Sequence, residues 1–307
     1  MTQILSIIAP LFLIIFGTAL VQKFKGIGKE WDAVLNDFAL KIGLPVLVFS
    51  ALIKADFSFE SEAPQIFANS LFLIANFILA LLLGKALHLK KQMFLTLFIC
   101  FVFGNVAYLG LPVLTEVYGD SVLPTVSLII AIYLFWLFTI GIGYLDYSSL
   151  KKKREVLKNI IKNFVKNPLL LSVALGLLVG ALKLPIPAIL TKSLEMLSAS
   201  VTPTVLIVIG LFIGRSKIGQ LREWVPVLFF TLFTLLLFPA LFYFGVSLFG
   251  GNPLEFQTSV IEAAMPLAIT PFALADKYHL NKTFIARSIV LSTVLSVFTL
   301  PFWISLF

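Results

Sequence analysis

Apolar runs of about 20 residues recur along almost the whole chain, divided by short clusters of charge, glycine and proline. Wound as a helix rising about 1.5 Å per residue, such a run spans the roughly 30 Å hydrocarbon core of a bilayer. The pattern predicts helices near residues 3–22, 34–53, 65–87, 93–117, 121–145, 167–183, 196–214, 224–249, 255–277 and 283–306. That is an all-α membrane protein of ten transmembrane helices. The first run, Ile4 to Val21, has no basic residues ahead of it and no small-residue cleavage site behind it, so it is expected to stay as the first helix.

Composition closes off the soluble alternatives. Of 307 residues 60% are hydrophobic and 12% charged, and the mean hydropathy is +1.05, which excludes a pair of water-soluble domains. The net charge of +8 could suggest nucleic acid, but the basic residues lie at helix ends rather than on a folded polar face, so the partner they imply is the lipid bilayer. With both termini on one side, 18 basic residues fall in the opposite loops and only Lys54, Lys183 and Lys192 on the side of the termini. Positive charge stays inside, so both termini are expected outside a bacterial cytoplasmic membrane. Lys41 and Arg287, in first helical turns, are expected to extend their stems to the headgroups.

The run Lys151-Lys152-Lys153-Arg154 stands halfway along the chain. It divides a first half, 1–150, from a second, 167–307, with a basic cytoplasmic linker at 151–166. Gly17 pairs with Gly176, Leu44-Pro45 with Thr202-Pro203, and Tyr118-Gly119 with Tyr278-His279, at offsets of 159, 158 and 160. A steady offset suggests duplication, and five spans per copy would turn the copies to face opposite ways, as transporter repeats do.

Two matching segments carry the candidate chemistry. Helix 4 contains Gly104-Asn105-Val106-Ala107-Tyr108-Leu109-Gly110-Leu111-Pro112, and helix 9 contains Met265-Pro266-Leu267-Ala268-Ile269-Thr270-Pro271. Proline removes a backbone donor and glycine relaxes the chain, so both helices should unwind near their middles. Irregular backbone at that depth is tolerable only inside the bundle or beside a water-filled cavity. The freed N–H groups of half-helix N-termini suit a carboxylate, and freed carbonyls suit a cation. Candidate substrate-binding residues are therefore Asn105, Tyr108, Gly110, Pro112, Pro266, Ile269, Thr270 and Pro271.

Glu262 stands one turn before the second break, inside an apolar segment where a lone charge is costly. Such a carboxylate can load a proton or help to hold Na⁺. Asn76 near the centre of helix 3, Thr125 and Ser127 in helix 5, and Ser292 and Thr293 in helix 10 are further candidate oxygen donors for the coupling ion. Each has a structural alternative: the amide can bond a neighbouring helix, and the hydroxyls can bond their own backbone. The lone cysteine, Cys100, can form neither an internal disulfide nor a metal cluster, and His88 and His279 have no metal-ligand spacing. Apart from Na⁺ or H⁺ no cofactor is implied, and no nucleotide-binding motif is present.

These residues carry a resemblance. Gly104-Asn105 through Gly110-Leu111-Pro112, Ala263-Ala264-Met265-Pro266 with Phe272, Leu274-Ala275 and Tyr278, then Leu291-Ser292-Thr293 with Thr299-Leu300-Pro301, and the early Leu44-Pro45 resemble the auxin efflux carrier family over essentially the whole chain. That family includes plant PIN-type carriers and bacterial permeases for malate or malonate. The resemblance implies two inverted five-helix repeats, with helices 1, 2, 6 and 7 as a scaffold and helices 3–5 and 8–10 as a moving transport domain. Crossing broken helices 4 and 9 would hold the substrate, and a homodimer would form through the scaffold helices. Where relatives often have Asn followed by Ala, this chain has Thr270-Pro271, which argues against auxin itself; the expected function is secondary active transport of a small organic anion, malate, malonate or an auxin-like acid, by alternating access. The similar fold of the bile-acid sodium symporters, with a glutamate near the same break, gives a sodium-coupled uptake carrier as an alternative. A channel remains a further alternative. A membrane enzyme would need clustered His, Asp or Ser-Lys groups at one depth, and none stands out in the sequence.

Overall fold

The computed structural model describes residues 2–55, 59–149, 154–216 and 220–307. Among them the regular structure is helical, with one isolated β-bridge. In chain order the helices are α1 Gln3–Lys25, α2 Glu30–Leu52, α3 Glu62–Ala86, α4 Lys91–Cys100, α5 Val106–Tyr118 and α6 Asp120–Ser149. They continue with α7 Arg154–Lys166, α8 Pro168–Ala181, α9 Ala188–Arg215 and α10 Arg222–Leu248. The last three are α11 Gln257–Ala263, α12 Thr270–Tyr278 and α13 Lys282–Ile304. Seven of these, α1, α2, α3, α6, α9, α10 and α13, are long and apolar enough to cross a bilayer, and α7 with α8 makes a pair bent by 60°.

Proline shapes the long helices locally. In α2, α5 and α10 a π-helical turn ends two residues before a proline, at Ala39–Gly43 before Pro45, Val106–Gly110 before Pro112 and Phe233–Leu237 before Pro239. The ring cannot donate and would strike the carbonyl one turn back, so the preceding turn widens to make room. The helix expected from residue 196 begins instead at Ala188, because Lys192 and Glu195 hid its first turns from a hydropathy pattern while pairing with each other at its surface.

Small residues decide which helices touch. Gly210 and Gly214 of α9 stand four apart on one face and bring α1 so close that a Cβ at Gly214 would lie 2.5 Å from the Ala19 carbonyl. Gly176 and Gly180 of α8 do the same for α2, with a Cβ at Gly180 only 2.8 Å from the Leu52 carbonyl. Lipid tails are as apolar as leucine, so helices in a membrane associate through such close backbone contact. Arg215 at the end of α9 then ties down the α1–α2 connection, donating to the Ile27 and Gly28 carbonyls at 2.7 and 2.6 Å and pairing with Asp32.

Of the linker, residues 151–153 lie outside the described residues; from Arg154 onward it is helical. Asn159 of α7 donates to Asp146 at 3.3 Å, and Asp146, only 2% exposed, also accepts from the Tyr278 hydroxyl of α12 at 2.9 Å. Lys277 stands 3.8 Å away. Asp146 thus fastens α6, α7 and α12 at one point. Asp146→Ala should lower stability by about 1–3 kcal/mol, the loss expected when a buried donor is left without its acceptor. A detergent melt would register this as a lower midpoint, with a smaller shift for Tyr278→Phe; an unchanged midpoint in both would remove the junction's structural role. Arg287 differs from the expected snorkelling side chain: it is 11% exposed, pairs with Glu223 and stacks over Trp224 at 5.9 Å.

Candidate functional site

Helix α4 ends at Cys100 and α5 begins at Val106; α11 ends at Ala263 and α12 begins at Thr270. The two irregular segments between them cross and pair with each other. Asn105 N donates to Pro266 O at 2.8 Å and Ala268 N donates to Phe103 O at 2.8 Å, closing an antiparallel bridge at Gly104 and Leu267. Peptide groups freed by each break are thereby satisfied by the other, as a buried backbone requires. Leu267 N donates to Ser292 Oγ of α13 at 3.1 Å. Asn105 O accepts from Leu109 N and Gly110 N at 3.1 and 2.9 Å and so starts the half-helix α5.

Glu262 lies in the last turn of α11, just before its break. It is 1% exposed, and neither carboxylate oxygen has a hydrogen-bond partner among the described residues. Its carboxyl rests on the bare Cα of Gly110 in α5, one turn past the opposite break, where a Cβ would come within 2.8 Å of Glu262 Cδ. Beside it is a cavity of about 20 Å³ whose polar lining comes from Asn76 of α3, Tyr133 of α6, Thr234 of α10 and Glu262. That volume admits one water or one small cation. The Tyr133 hydroxyl is buried without a partner as well.

A larger cavity of about 720 Å³ opens on one side of the crossing. It lies between the end of α2 (Ser50) with Lys54 just past it, the first half and middle of α9 (Glu195, Thr202), α5 (Leu111, Thr115) and the start of α6 (Asp120, Thr125). Lys54 and Glu195 pair across its mouth at 3.0 Å. Toward the far ends of the same two helices, two contacts join α2 to α5 and α9 to α12. Tyr108 of α5 donates to Asn36 Oδ1 of α2 at 2.8 Å, and Phe212 of α9 packs edge-on against Phe272 of α12 at 4.9 Å. Asn36 and Ser50 stand 14 residues apart on α2, about 21 Å along a helix.

The expected site residues therefore divide. Asn76 and Glu262 meet at the small cavity, with Gly110 against the carboxylate. Pro112 is buried in α5, Pro266 lends its carbonyl to the bridge, and Pro271 is buried in the first turn of α12. Ile269 is half-buried and Thr270 exposed where α12 begins. Thr125 lines the large cavity, and Ser127 is fully buried with no partner for its hydroxyl among the described residues. Ser292 braces the second break, while Thr293 donates back to the Ile289 carbonyl at 2.8 Å. Sequence reasoning misses Tyr133, since a tyrosine in the charge-free stretch between Asp120 and Asp146 has no local mark of function.

The chain matches the family model described as "Membrane transport protein" over residues 3–304. It is 26% identical over 286 residues to an uncharacterized transporter of Methanocaldococcus jannaschii, with 92% of each chain covered. It is 24% identical over 316 residues to a Rhizobium meliloti protein described as "Putative malonate transporter", covering 97% of this chain and 94% of that one. An uncharacterized transporter of Methanothermobacter thermautotrophicus is 26% identical over 307 residues, covering 97% and 96%.

Proposed function

This chain belongs to the membrane transport protein family, that of the auxin efflux carriers, and on that premise we propose that it is a secondary carrier moving a small carboxylate, of the malonate or malate type, by alternating access. The observation that carries the proposal is the mutual pairing of two interrupted helices beside a buried, unpartnered carboxylate. A rigid helix pair offers no place for an ion at that depth, whereas half-helix N-termini offer donors to an anion and a free carboxylate offers a seat to Na⁺ or H⁺. The relative described as a "Putative malonate transporter" supports the substrate class.

With α4–α5 and α11–α12 each taken as one interrupted span and α8 as a short one, the chain has ten spans in two inverted halves. α1, α2, α8 and α9, joined through their glycines, form the scaffold, and the remaining spans form the moving part. The excess of basic residues at the other end puts Lys54 and Glu195 outside. The large cavity then faces out, and the Tyr108–Asn36 and Phe212–Phe272 contacts close the cytoplasmic side. Movement of α5 and α12 against α2 and α9 would break those contacts and open the site inward. Glu262, with Asn76 and Tyr133 beside it, couples that movement to the ion.

Purified protein in liposomes tests the function. Labelled malonate should enter saturably and faster when a Na⁺ or H⁺ gradient is imposed, and the gradient that works identifies the ion. Ohmic current, or no saturable flux of any of a panel of mono- and dicarboxylates, would overturn it.

The closed side makes its own prediction. Tyr108→Phe removes one hydrogen bond from the closure, typically about 0.5–1.5 kcal/mol, and should raise the inward-open population about two- to tenfold. Spin labels at the exposed positions Asp37 and Lys277 would report it as growth of a longer-distance peak. An unaltered distance distribution would mean that this bond is not part of the gate.

A further inference from the structure

Helix α7 has three sides, set by its sequence. Val156, Ile160 and Phe164 turn inward: Ile160 packs on Gly143 of α6, and Phe164 packs edge-on against Phe135 and Phe138 at 5.5 and 6.2 Å. The next ridge around the helix, Leu157, Ile161 and Val165, is 65%, 54% and 64% exposed. Beyond it comes a ridge on which the sequence sets a basic residue at every fourth position, 154, 158, 162 and 166, with Lys158, Lys162 and Lys166 exposed. Packed side, bare apolar ridge and lysine ridge thus follow one another around the same cylinder.

We propose that α7 is a docking surface for anionic phospholipid. The helix is anchored on α6 and bent 60° away from α8, so it does not continue the path of a crossing helix. Its apolar ridge has the width of three leucine-sized side chains and lies beside the lysines rather than opposite them. An aqueous protein surface has no use for such a ridge, whereas a helix lying at the membrane boundary sinks it among acyl chains while adjacent lysines meet lipid phosphates. The charge of the lysine ridge selects the negatively charged headgroup over the zwitterionic one. Anchoring matters to the mechanism of selection: with Ile160, Phe164 and Asn159 fixed to α6, the ridge keeps one angle to the bilayer, and the three lysines are held in a row.

Two measurements on the full chain test this. Native mass spectrometry from micelles holding equal parts phosphatidylglycerol and phosphatidylcholine should find phosphatidylglycerol retained in preference. Lys158→Gln, Lys162→Gln and Lys166→Gln should each lower that preference about fivefold, and the three Lys→Arg variants should keep it. A spin label on Ile161→Cys, selective because the native Cys100 is buried, should relax with dissolved oxygen rather than with an aqueous nickel complex in phosphatidylglycerol-containing nanodiscs. A lipid preference unmoved by the glutamine variants, or a label fully exposed to the nickel complex, would overturn the proposal; the latter outcome would point to a water-borne partner for the ridge.

Discussion

Glu262→Gln is expected to give a folded carrier whose uptake no longer follows the ion gradient. Glutamine has nearly the same shape, and since neither carboxylate oxygen has a hydrogen-bond partner among the described residues, no bond of the fold is broken by the change. What disappears is the charge that a proton or a cation would neutralise. Coupling free energies between two ligands of one protein usually amount to about 1–3 kcal/mol, or roughly 5–150-fold. Gradient-driven malonate accumulation should fall by a factor in that range, while counterflow exchange of labelled for unlabelled substrate, which needs no net ion movement, should persist. The stability read from a detergent melt should stay within about 1 kcal/mol of the parent's. Equal responses to Na⁺ and pH in parent and variant would remove Glu262 from the coupling step and leave its burial unexplained.

How much of this was legible beforehand depended on distance along the chain. The two breaks were readable because their cause is local: Pro266 and Pro271 in one segment, Gly104, Gly110 and Pro112 in the other, each acting on the turn beside it. That the broken segments would bond to each other across more than 160 residues had no local cause and could be reached only through the family resemblance. Glu262 was visible as a charge in an apolar run, yet its seat on Gly110 was not, because contact between helices leaves no periodic trace. The same limit hid Tyr133 and Asp146. The Tyr108 hydroxyl reaches Asn36 of α2, a partner 72 residues away along the chain that leaves no local sign at either position. The linker poses a different difficulty: its lysines read as loop charge, and the run of Leu157, Ile161 and Val165 at fourfold spacing is too short to register as a membrane segment.

A methyl group at Gly110 should act on the ion and not on the fold. Gly110 is in a right-handed helical conformation, φ −60° and ψ −51°, so alanine meets no backbone strain there. Its Cβ would, however, collide with the Glu262 carboxylate. The carboxylate is the free end of a side chain and can move, but the space open to it is the cavity of about 20 Å³ shared with Asn76 and Tyr133. Gly110→Ala therefore pushes the carboxylate into the place where an ion would sit. Overpacking of this kind costs about 1–3 kcal/mol, which raises the concentration of coupling ion needed for half-maximal uptake by roughly 5–150-fold if it falls on the ion-bound state. In a Glu262→Gln background the same methyl group should change ion dependence little, because the dependence is already lost; the two effects are non-additive when both residues serve one site. If Gly110→Ala leaves the half-maximal ion concentration where it was, or if its effect simply adds to that of Glu262→Gln, the ion does not bind between these two broken helices.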